Sequence, residues 1–388
     1  MSKIEELIQE LCPDGVEYKP FGELATILRG ASPRPIKSFI TSDESGVNWI
    51  KIGDVAVSSK YVTYANEKIT VEGAEKSRKV KKGDFILSNS MSFGRPYILS
   101  IDGCIHDGWL AISDFDDTFI ADFMYYLLSS SAVQQEMAKR ASFGGAVQNL
   151  NADIVKSLML PIPPLDVQSE IVRILDNFTE LTAELTAELT ARKKQYEYYR
   201  EQALCFDGNT SMERLGDTCL MKSGKAIKAT FISETQSETN QYKCYGGNGT
   251  RGFVSESSHQ GEYPIIGRQG ALCGNINYAV GDFYATEHAV VVKSLGKYVP
   301  RFLFYLLTAM DLNQYKSQGA QPGLAVGNIE NLLAPVPSIE KQEYIVDLLD
   351  RFDVLCNDLT KGLHAEIKAR QKQYEYYRDK LLTFKELS

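Results

Sequence analysis

The chain has 388 residues, of which 44% are hydrophobic, and a formal net charge of −8 at pH 7. This length exceeds one ordinary hydrophobic core, so we expect two globular domains with connecting segments. No apolar run reaches the roughly 20 residues that span a bilayer, and the acidic N terminus does not match a signal peptide. Seven cysteines without a Cys-x-x-Cys pair predict reduced thiols in a cytoplasmic protein.

Residues 20–110 alternate short apolar runs with Gly, Ser, Asn and Asp turns, a pattern typical of short β-strands. The clearest predicted strands are 49–52 and 85–87, and residues 118–140 are predicted to be helical. Each globular part is therefore expected to be α+β. The second half repeats the plan, with two predicted strands and one helix at 263–266, 289–292 and 301–312.

A long amphipathic helix is predicted from 166 to 206, between the Pro-rich segment 161–164 and Gly208. A second helix of the same kind is predicted from 338 to 384. Neither helix can hide its apolar stripe alone, so we expect the two to pack as an antiparallel coiled coil. The apolar residues of the first helix recur every three or four positions: Ile171, Leu175, Phe178, Leu181, Leu185 and Leu189.

The heptapeptide Lys-Gln-Tyr-Glu-Tyr-Tyr-Arg occurs twice, at 194–200 and at 372–378. Weaker matches extend the repeat, such as Gln-Ser-Glu-Ile-Val at 168–172 and Gln-Glu-Tyr-Ile-Val at 342–346. These matches indicate an internal duplication and approximate two-fold symmetry. The predicted order is a globular domain, a helical segment, a second domain and a second helical segment, at 1–160, 161–208, 209–334 and 335–388.

The first helical segment contains Thr-Ala-Glu-Leu twice in succession, at 182–185 and 186–189. Gln195 lies 19 positions after Asp176 (195 − 176), whereas Gln373 lies 23 after Asp350 (373 − 350). Four residues add about 6 Å and slightly more than one turn, so one unit can be gained or lost with the stripe nearly in register. The repeat is therefore either a spacer of adjustable length or a run of good helix formers.

Loops that combine Gly with basic or amide residues are candidate nucleic-acid contacts, because Arg and Lys suit guanine edges and phosphates, and Asn and Gln suit adenine edges. A solvated surface turn has the same composition, and this alternative stays open for each residue. In the first domain the candidates are Arg29, Arg34, Lys37, Arg78, Lys79, Lys81, Lys82, Asn89, Arg95 and Gln148. In the second they are Lys222, Lys225, Lys228, Asn248, Arg251, Arg268, Gln269 and Gln321.

Catalytic motifs are not convincing. Asp14, Glu17 and Lys19 superficially match a nuclease metal site, but carboxylates this close along the chain would not readily converge on one metal. Lys225 lacks the flanking residues of a phosphate-binding loop, and the four histidines are scattered. We therefore expect a non-catalytic protein without a metal site.

Two variable domains, each followed by a Pro-rich segment and a long helix with the repeated heptapeptide, closely resemble the specificity subunit of type I restriction-modification enzymes. The resemblance covers essentially the whole chain. It implies that each variable domain is a target-recognition domain for one half of an asymmetric bipartite DNA site. It also implies that the paired helices set the spacer and dock two methyltransferase subunits. Restriction (motor and nuclease) subunits would complete the complex, and S-adenosylmethionine and ATP would belong to those partners rather than to this chain.

No predicted segment has a net positive charge, so contacts to double-stranded DNA must come from local clusters, with further charge from a partner subunit. One alternative is a non-DNA interaction scaffold, a coiled coil with two globular ligand-binding ends. Another is a specificity subunit without a working nuclease. The residues predicted for the coiled coil or for partner docking are Leu181, Leu185, Leu189, Tyr196, Tyr199, Leu355, Leu359, Tyr374 and Tyr377, and ordinary seam packing is the alternative for the tyrosines.

Overall fold

The chain forms two compact units in a computed structural model. Unit 1 comprises Met1–Glu184 and Ile367–Ser388, and unit 2 comprises Leu185–Glu366. Each unit combines strands and helices, in agreement with the predicted α+β class. Among the described helices, none is long and apolar enough to cross a membrane. The structure describes residues 3–56, 59–89, 93–144, 147–270, 272–317, 322–357 and 362–387.

The larger sheets of unit 1 have the strand orders β3-β6-β4-β10-β7 and β2-β11-β8-β9-β5, and β1 pairs with β14 and β12 with β13. The strands are β1 (Glu17–Pro20), β2 (Thr26–Arg29), β3 (Ile40–Thr41), β4 (Val47–Ile50), β5 (Tyr61–Val62), β6 (Glu67–Ile69), β7 (Arg78–Val80), β8 (Phe85–Ser88), β9 (Pro96–Leu99), β10 (Gly103–Ile105), β11 (Trp109–Ser113), β12 (Ser142–Gly144), β13 (Val147–Asn149) and β14 (Met159–Ile162). β11 is antiparallel to both β2 and β8, which brings the C-terminal ends of these two strands to the start of β11.

One hydrophobic core joins the helices of unit 1 to the second of these sheets. The fully buried rings of Phe85 and Phe115 meet edge to face with centroids 5.3 Å apart, and Ile171 and Leu175 pack into the same core. The helices are α1 (Lys3–Leu11), α2 (Phe21–Leu24), α3 (Val71–Glu75), α4 (Ala121–Leu128), α5 (Ser131–Arg140), α6 (Ala152–Lys156) and the first part of α7 (Leu165–Ala203).

Unit 2 has a sheet with the strand order β16-β21-β19-β20-β17-β18 and a separate β15-β22 pair. Its strands are β15 (Ser211–Arg214), β16 (Cys219–Ser223), β17 (Tyr242–Gly246), β18 (Gly249–Val254), β19 (His259–Gly267), β20 (Ile276–Ala285), β21 (Ala289–Ser294) and β22 (Leu333–Val336). β21 is antiparallel to both β16 and β19, so the C-terminal ends of β16 and β19 meet at its start. This is the arrangement of β2, β11 and β8 in unit 1.

The core of unit 2 lies between this sheet and its helices. Phe302, Ile345 and Leu349 are fully or almost fully buried in it, and Tyr196 packs against its edge. The helices are α8 (Leu215–Thr218), α9 (Pro300–Ala309), α10 (Val326–Glu330) and α11 (Ile339–Asn357), followed by α12 (Leu363–Leu381), most of which belongs to unit 1.

The helix predicted at 166–206 is observed as α7, an unbroken helix of 39 residues. Aromatic pairs join it to the C-terminal helices within each unit: Phe178 stacks on Tyr377 at 5.5 Å in unit 1, and Tyr199 stacks on Phe352 at 5.5 Å in unit 2. The predicted seam residue Leu181 is 47% exposed, so the buried stripe is interrupted there. Sequence periodicity identifies the apolar side of a helix, but it does not show how much of that side another element covers.

The prediction of one continuous helix from 338 to 384 is wrong. α11 ends at Asn357 and α12 begins at Leu363. Gly362 has φ = 79°, a left-handed conformation that ends an α-helix and favours glycine. A Cβ on this residue would lie 2.7 Å from the carbonyl oxygens of Val354 and Leu355, so the close approach also requires glycine. The predicted seam residue Leu359 lies outside the described residues.

Each globular part is attached to its helix by the same pair, a buried tyrosine and a more exposed aspartate. The hydroxyl of Tyr126 donates to Asp176 in unit 1, and that of Tyr305 donates to Asp350 in unit 2. Burial, followed by the hydrogen bond to the carboxylate, raises the pKa of both hydroxyls above the usual tyrosine value. Arg301 adds an ion pair to Asp350 at 2.7 Å. The duplicated attachment explains the repeated Asp in the two helical segments.

Candidate nucleic-acid interfaces

A tight backbone turn follows β2 in unit 1. The N–H of Gly30 donates to the carbonyl of Trp109 at 2.9 Å, and the N–H of Ala31 donates to that of Ile105 at 3.2 Å. A Cβ on Gly30 would clash with the carbonyl oxygen of His106, so only glycine fits this approach. The predicted candidate Arg29 is therefore held directly beside residues 106–108.

Unit 2 has the same turn after β16. The N–H of Gly224 donates to the carbonyl of Ala289 at 3.0 Å, and the N–H of Lys225 donates to that of Ala285 at 3.0 Å. A Cβ on Gly224 would clash with the carbonyl of Ala285. We call β11 of unit 1 and β21 of unit 2, each of which is paired on both sides, the central strands of the two sites. In both units one carbonyl acceptor belongs to the first residue of the central strand and the other to the residue four positions before it.

Asn89 and Arg268 occupy equivalent backbone positions, each directly after a strand that pairs with the central strand. The N–H of Asn89 donates to Gly108 at 3.1 Å, and the carbonyl of Asn89 accepts from Leu150 at 2.8 Å. The corresponding bonds of Arg268 are to His288 at 3.0 Å and from Leu324 at 2.9 Å. We call residues 29–31, 88–89 and 106–108 the frame of unit 1, and residues 223–225, 267–268 and 286–288 the frame of unit 2.

Three predicted candidates converge in the frame of unit 1. The side chains of Arg29 and Asn89 both donate to the carbonyl of Asp107, at 3.2 and 2.8 Å, and Arg78 Nε donates to the carbonyl of Arg29 at 3.1 Å. Asn89 is only 3% exposed, so its amide holds residues 106–108 rather than facing solvent. Arg29 is exposed and Arg78 half-buried, which leaves guanidinium N–H groups for a ligand.

An acidic residue that sequence reasoning missed lies at the centre of this group. Ser32 Oγ donates to Asp107 Oδ1 at 2.8 Å, and this hydrogen bond, together with the nearby Arg29, holds the pKa of the carboxyl below its usual value. Burial lowers the pKa of His106, and the ring accepts the N–H of Gly108 at Nδ1. The neutral ring therefore carries its proton on Nε2.

Glu287 is the equivalent acid in unit 2. Its Oε1 lies 3.3 Å from His288 Nε2, and its buried Oε2 has no hydrogen-bond partner among the described residues. Carboxylates accept hydrogen bonds from the exocyclic amine of cytosine, so an acid beside arginines can contribute to base recognition. Asp107 and Glu287 each stand two residues before the central strand, and this shared spacing is the one signal in the sequence that would have pointed to them.

The other candidates of unit 1 are more scattered. Arg34, Lys37, Lys79, Lys81 and Lys82 are exposed, and the backbone N–H groups of Lys81 and Lys82 donate to Asp84 and Asp102. The basic run at 78–82 thus lies beside two acids, which weakens its attraction for phosphate. Arg95 is half-buried, and Gln148 lies in β13, with its side chain outside the described part of the structure.

In unit 2 the frame gathers Lys225 and Arg268, whose Nη1 donates to Ser223 Oγ at 2.9 Å. A Cβ on Gly267, the last residue of β19, would clash with the carbonyl oxygen of Gly247. Because these two glycines lie so close together, the candidates that follow them, Asn248 and Gln269, are carried by adjoining loops. Gln321 lies outside the described residues. The remaining exposed candidates are Lys222, Lys228, Asn248, Arg251 and Gln269.

Metal ligands and disulfides do not feature at these sites. No group of three or more His, Cys, Asp or Glu within the described ranges could hold a metal ion. The six cysteines whose side chains are described are free, and burial raises the pKa of several of their thiols, including Cys104 and Cys219.

Comparison with known proteins identifies the family. A family model described as the type I restriction modification DNA specificity domain matches residues 13–192 and 209–369, which is most of the chain. The chain belongs to this family. It is 36% identical over 378 residues to the type I restriction enzyme EcoprrI specificity subunit of Escherichia coli, covering 93% of each protein. It is 28% identical to the EcoR124I/EcoR124II specificity subunit of the same organism, covering 99% of this chain and 97% of the relative.

Solved structures of specificity subunits share the fold. A chain from a study of complex assembly and conformational transition of the type I restriction-modification system has a TM-score of 0.68 and 17% identity, covering 96% of this chain and 98% of that chain. The S subunit from M. genitalium has a TM-score of 0.56 and 19% identity, covering 95% of this chain and 96% of that chain. The family is one of DNA specificity domains, as the sequence analysis expected of a recognition subunit rather than an enzyme.

Proposed function

We propose that the two frames are the DNA-reading centres of this specificity subunit, each for one half of an asymmetric bipartite site. The observation that carries this proposal is the shared backbone geometry around Gly30 and Gly224, which presents different side chains in the two units. The exposed Arg29 before Gly30 in unit 1 is replaced by Ser223 before Gly224 in unit 2, and Ala31 is replaced by Lys225. A common frame with unlike side chains suits two readers of unlike sequences.

Binding by both units makes the recognition specific. Two short half-sites are individually weak, but once one unit is bound the second binding event is intramolecular, which raises the effective concentration. The separation of the half-sites then becomes a geometric requirement, as in dimeric DNA-binding proteins. Because the two units present different residues, the proposed site is not palindromic.

The continuous helix α7 supports the proposal that the helices set the spacer between the half-sites. α7 runs through both Thr-Ala-Glu-Leu units without a break, with Leu189 buried and Leu185 half-buried four residues apart on one side. An added unit would therefore lengthen the helix by about 6 Å while nearly keeping its apolar side in register.

Partner subunits would supply the chemistry and part of the charge. The chain has a net charge of −8, whereas DNA binding relies on neutralisation of phosphates by Lys and Arg. We propose that two methyltransferase subunits bind this chain and S-adenosylmethionine, and that restriction subunits bring ATP-dependent cleavage. The assembly would act in the cytoplasm on double-stranded DNA.

The decisive experiment is methylome sequencing of cells with and without this chain, together with its methyltransferase subunit. We expect one bipartite motif with two unlike half-sites, and replacement of residues 20–150 by the same region of a relative should change one half-site alone. A change in both half-sites would contradict the assignment of one frame to each. A gel shift at several salt concentrations is the companion test: a protein scaffold without DNA affinity would give no shift even with the methyltransferase subunit present.

A further inference from the structure

We propose that Tyr198 and Tyr376 are the centres of two equivalent docking surfaces, each of which binds one copy of the same methyltransferase subunit. This inference rests on the proposed function and names the surface through which the partner binds. Tyr198 belongs to unit 2 and Tyr376 to unit 1, so each unit carries one copy.

The strongest internal repeat of the chain surrounds these two tyrosines. Residues 191–200 and 369–378 are identical except that Lys193 in the first is Gln371 in the second. The sequences on either side are less similar: Glu201-Gln202-Ala203 follows the first copy, and Asp379-Lys380-Leu381 follows the second. A localised identity requires a constraint that acts on this stretch in both units.

Packing accounts for the first and third tyrosines of each copy. Tyr196 and Tyr199 meet Phe352, with ring centroids at 6.2 and 5.5 Å. Tyr377 stacks on Phe178, and Tyr374 packs against the core of unit 1. These are the four tyrosines predicted for the coiled coil or for docking, and their contacts are those of seam residues.

Packing does not account for the middle tyrosine. Tyr198 is 59% exposed and Tyr376 is 61% exposed. Each ring meets its neighbour edge to face, Tyr198 with Tyr199 at 5.6 Å and Tyr376 with Tyr377 at 5.3 Å. The third tyrosine of each copy, which stacks on a phenylalanine, therefore restricts the orientation of the more exposed second one. This lowers the conformational cost of binding to a partner.

The exposed neighbours of the two tyrosines are also the same. Lys194 precedes Tyr198 by four residues and lies on the same side of the helix, as Lys372 does before Tyr376. Glu197 and Glu375 are exposed directly before the tyrosines. Each surface thus combines one aromatic ring with one positive and one negative charge.

This composition favours a protein partner. Tyrosine is enriched at the centres of protein interfaces, where it fills a pocket and its hydroxyl finds a hydrogen-bond partner. Two copies of one surface require a partner that binds twice, and in the proposed complex the methyltransferase subunit is that partner.

The test uses the full chain and the purified methyltransferase subunit of the same system. Tyr198→Ala and Tyr376→Ala are made singly and together, and Tyr344→Ala serves as the matched control. Tyr344 is a helical tyrosine with 64% exposure, but its counterpart in the repeat is Glu170, so its surface is not duplicated. Native mass spectrometry gives the stoichiometry, and titration gives the two dissociation constants.

We expect each single variant to keep one tight site and to weaken the other on the order of tenfold or more. The double variant should lose both tight sites, Tyr344→Ala should bind two copies normally, and the thermal midpoints should all match the wild type. Normal binding by the double variant would overturn the proposal, as would a lowered thermal midpoint, which would assign these tyrosines to packing. Gel shifts of duplex DNA by the wild-type complex are recorded with the same preparations. The absence of a shift would count against the proposed function. Normal shifts and normal stoichiometry in the double variant would count against the docking surfaces alone.

Discussion

The side-chain oxygen of Gln168 accepts the backbone N–H of Ile120 at 2.9 Å, and this bond fixes the start of α4 to the start of α7. The amide nitrogen of Gln168 also donates to the carbonyl of Pro163 at 2.9 Å. Gln342 makes the same pair of bonds in unit 2, to Val299 at 2.8 Å and Pro337 at 2.9 Å. Both glutamines are completely buried, so a domain and its helix are joined by an identical polar clamp in each unit.

Gln168→Ala should lower the free energy of unfolding of unit 1 by roughly 1–3 kcal/mol, because backbone groups that are buried lose their partners. Urea denaturation followed by hydrogen exchange measures this loss, and the amide of Ile120 should exchange faster than in the wild type. Gln202→Ala, at an exposed position of the same helix, is the control and should change neither quantity. Unaltered exchange at Ile120 in Gln168→Ala would show that the clamp does not hold α4.

Glu170 should make the stability of unit 1 depend on pH. Its hydrogen bond with Arg173, together with one from Lys3, lowers the pKa of the carboxyl to about 2, against an ordinary value near 4.5. A depressed folded-state pKa contributes stability that is complete above the unfolded-state value and is lost as pH falls from about 4.5 towards 2. Thermal midpoints of the wild type and Glu170→Gln should therefore differ most near neutral pH and converge in that acidic window.

Arg173→Gln removes the principal partner of this carboxylate and completes the experiment. Once Arg173→Gln is present, adding Glu170→Gln should have a smaller effect on the midpoint, because the two residues form one interaction. A difference between wild type and Glu170→Gln that stayed constant from pH 7 to pH 3 would contradict the ion-pair assignment.

Arg268→Ala should weaken recognition of one half-site only. Arginine contacts to a base are worth about 1–3 kcal/mol, so binding to the wild-type site should fall by about 5- to 150-fold. Lys293→Ala removes the same charge from β21 but five residues beyond the frame, and it should leave that half-site unchanged. The measurement is competition binding with duplexes altered in one half-site at a time; an equal loss for both half-sites would indicate that Arg268 contacts phosphate rather than a base.

Insertion of one Thr-Ala-Glu-Leu unit after Leu189 should lengthen the spacer of the methylated motif and leave both half-sites unaltered. The inserted turn extends α7 by about 6 Å while nearly preserving the apolar stripe. Four residues inserted after Ser237, in an exposed loop of unit 2, form the control and should not change the spacer. Methylome sequencing measures the spacer of both variants. An unaltered spacer in the Thr-Ala-Glu-Leu insertion variant would show that the length of α7 does not set the spacer.

The repeated elements of this chain were the most predictable ones. α7 was visible because its apolar residues recur over ten turns, and the duplicated heptapeptide identified its partner. The break before α12 was missed, since Gly362 sits in a sequence that otherwise continues the helical pattern, and only the backbone shows its positive φ. Local periodicity carries no information about a left-handed backbone conformation of this kind.

The candidate sites were only partly accessible from sequence. Arg29, Arg78 and Asn89 were found as separate loop residues. That Arg29 and Asn89 both donate to the carbonyl of Asp107, and that Arg78 donates to the carbonyl of Arg29, depends on strand pairing that the local sequence does not show. Asn89 resembles an exposed base-reading amide in sequence, yet it is buried and bonded to the backbone. Asp107 and Glu287 were missed because basic and amide side chains, rather than acids, were expected to contact DNA.

The glycines at positions 30 and 224 have a consequence for engineering new specificities. Each backbone passes so close to a neighbouring carbonyl that even alanine would force the strands apart. A mutant library aimed at altered recognition can therefore diversify the side chains flanking these two residues, but clones in which either glycine is randomised should be recovered only as misfolded protein.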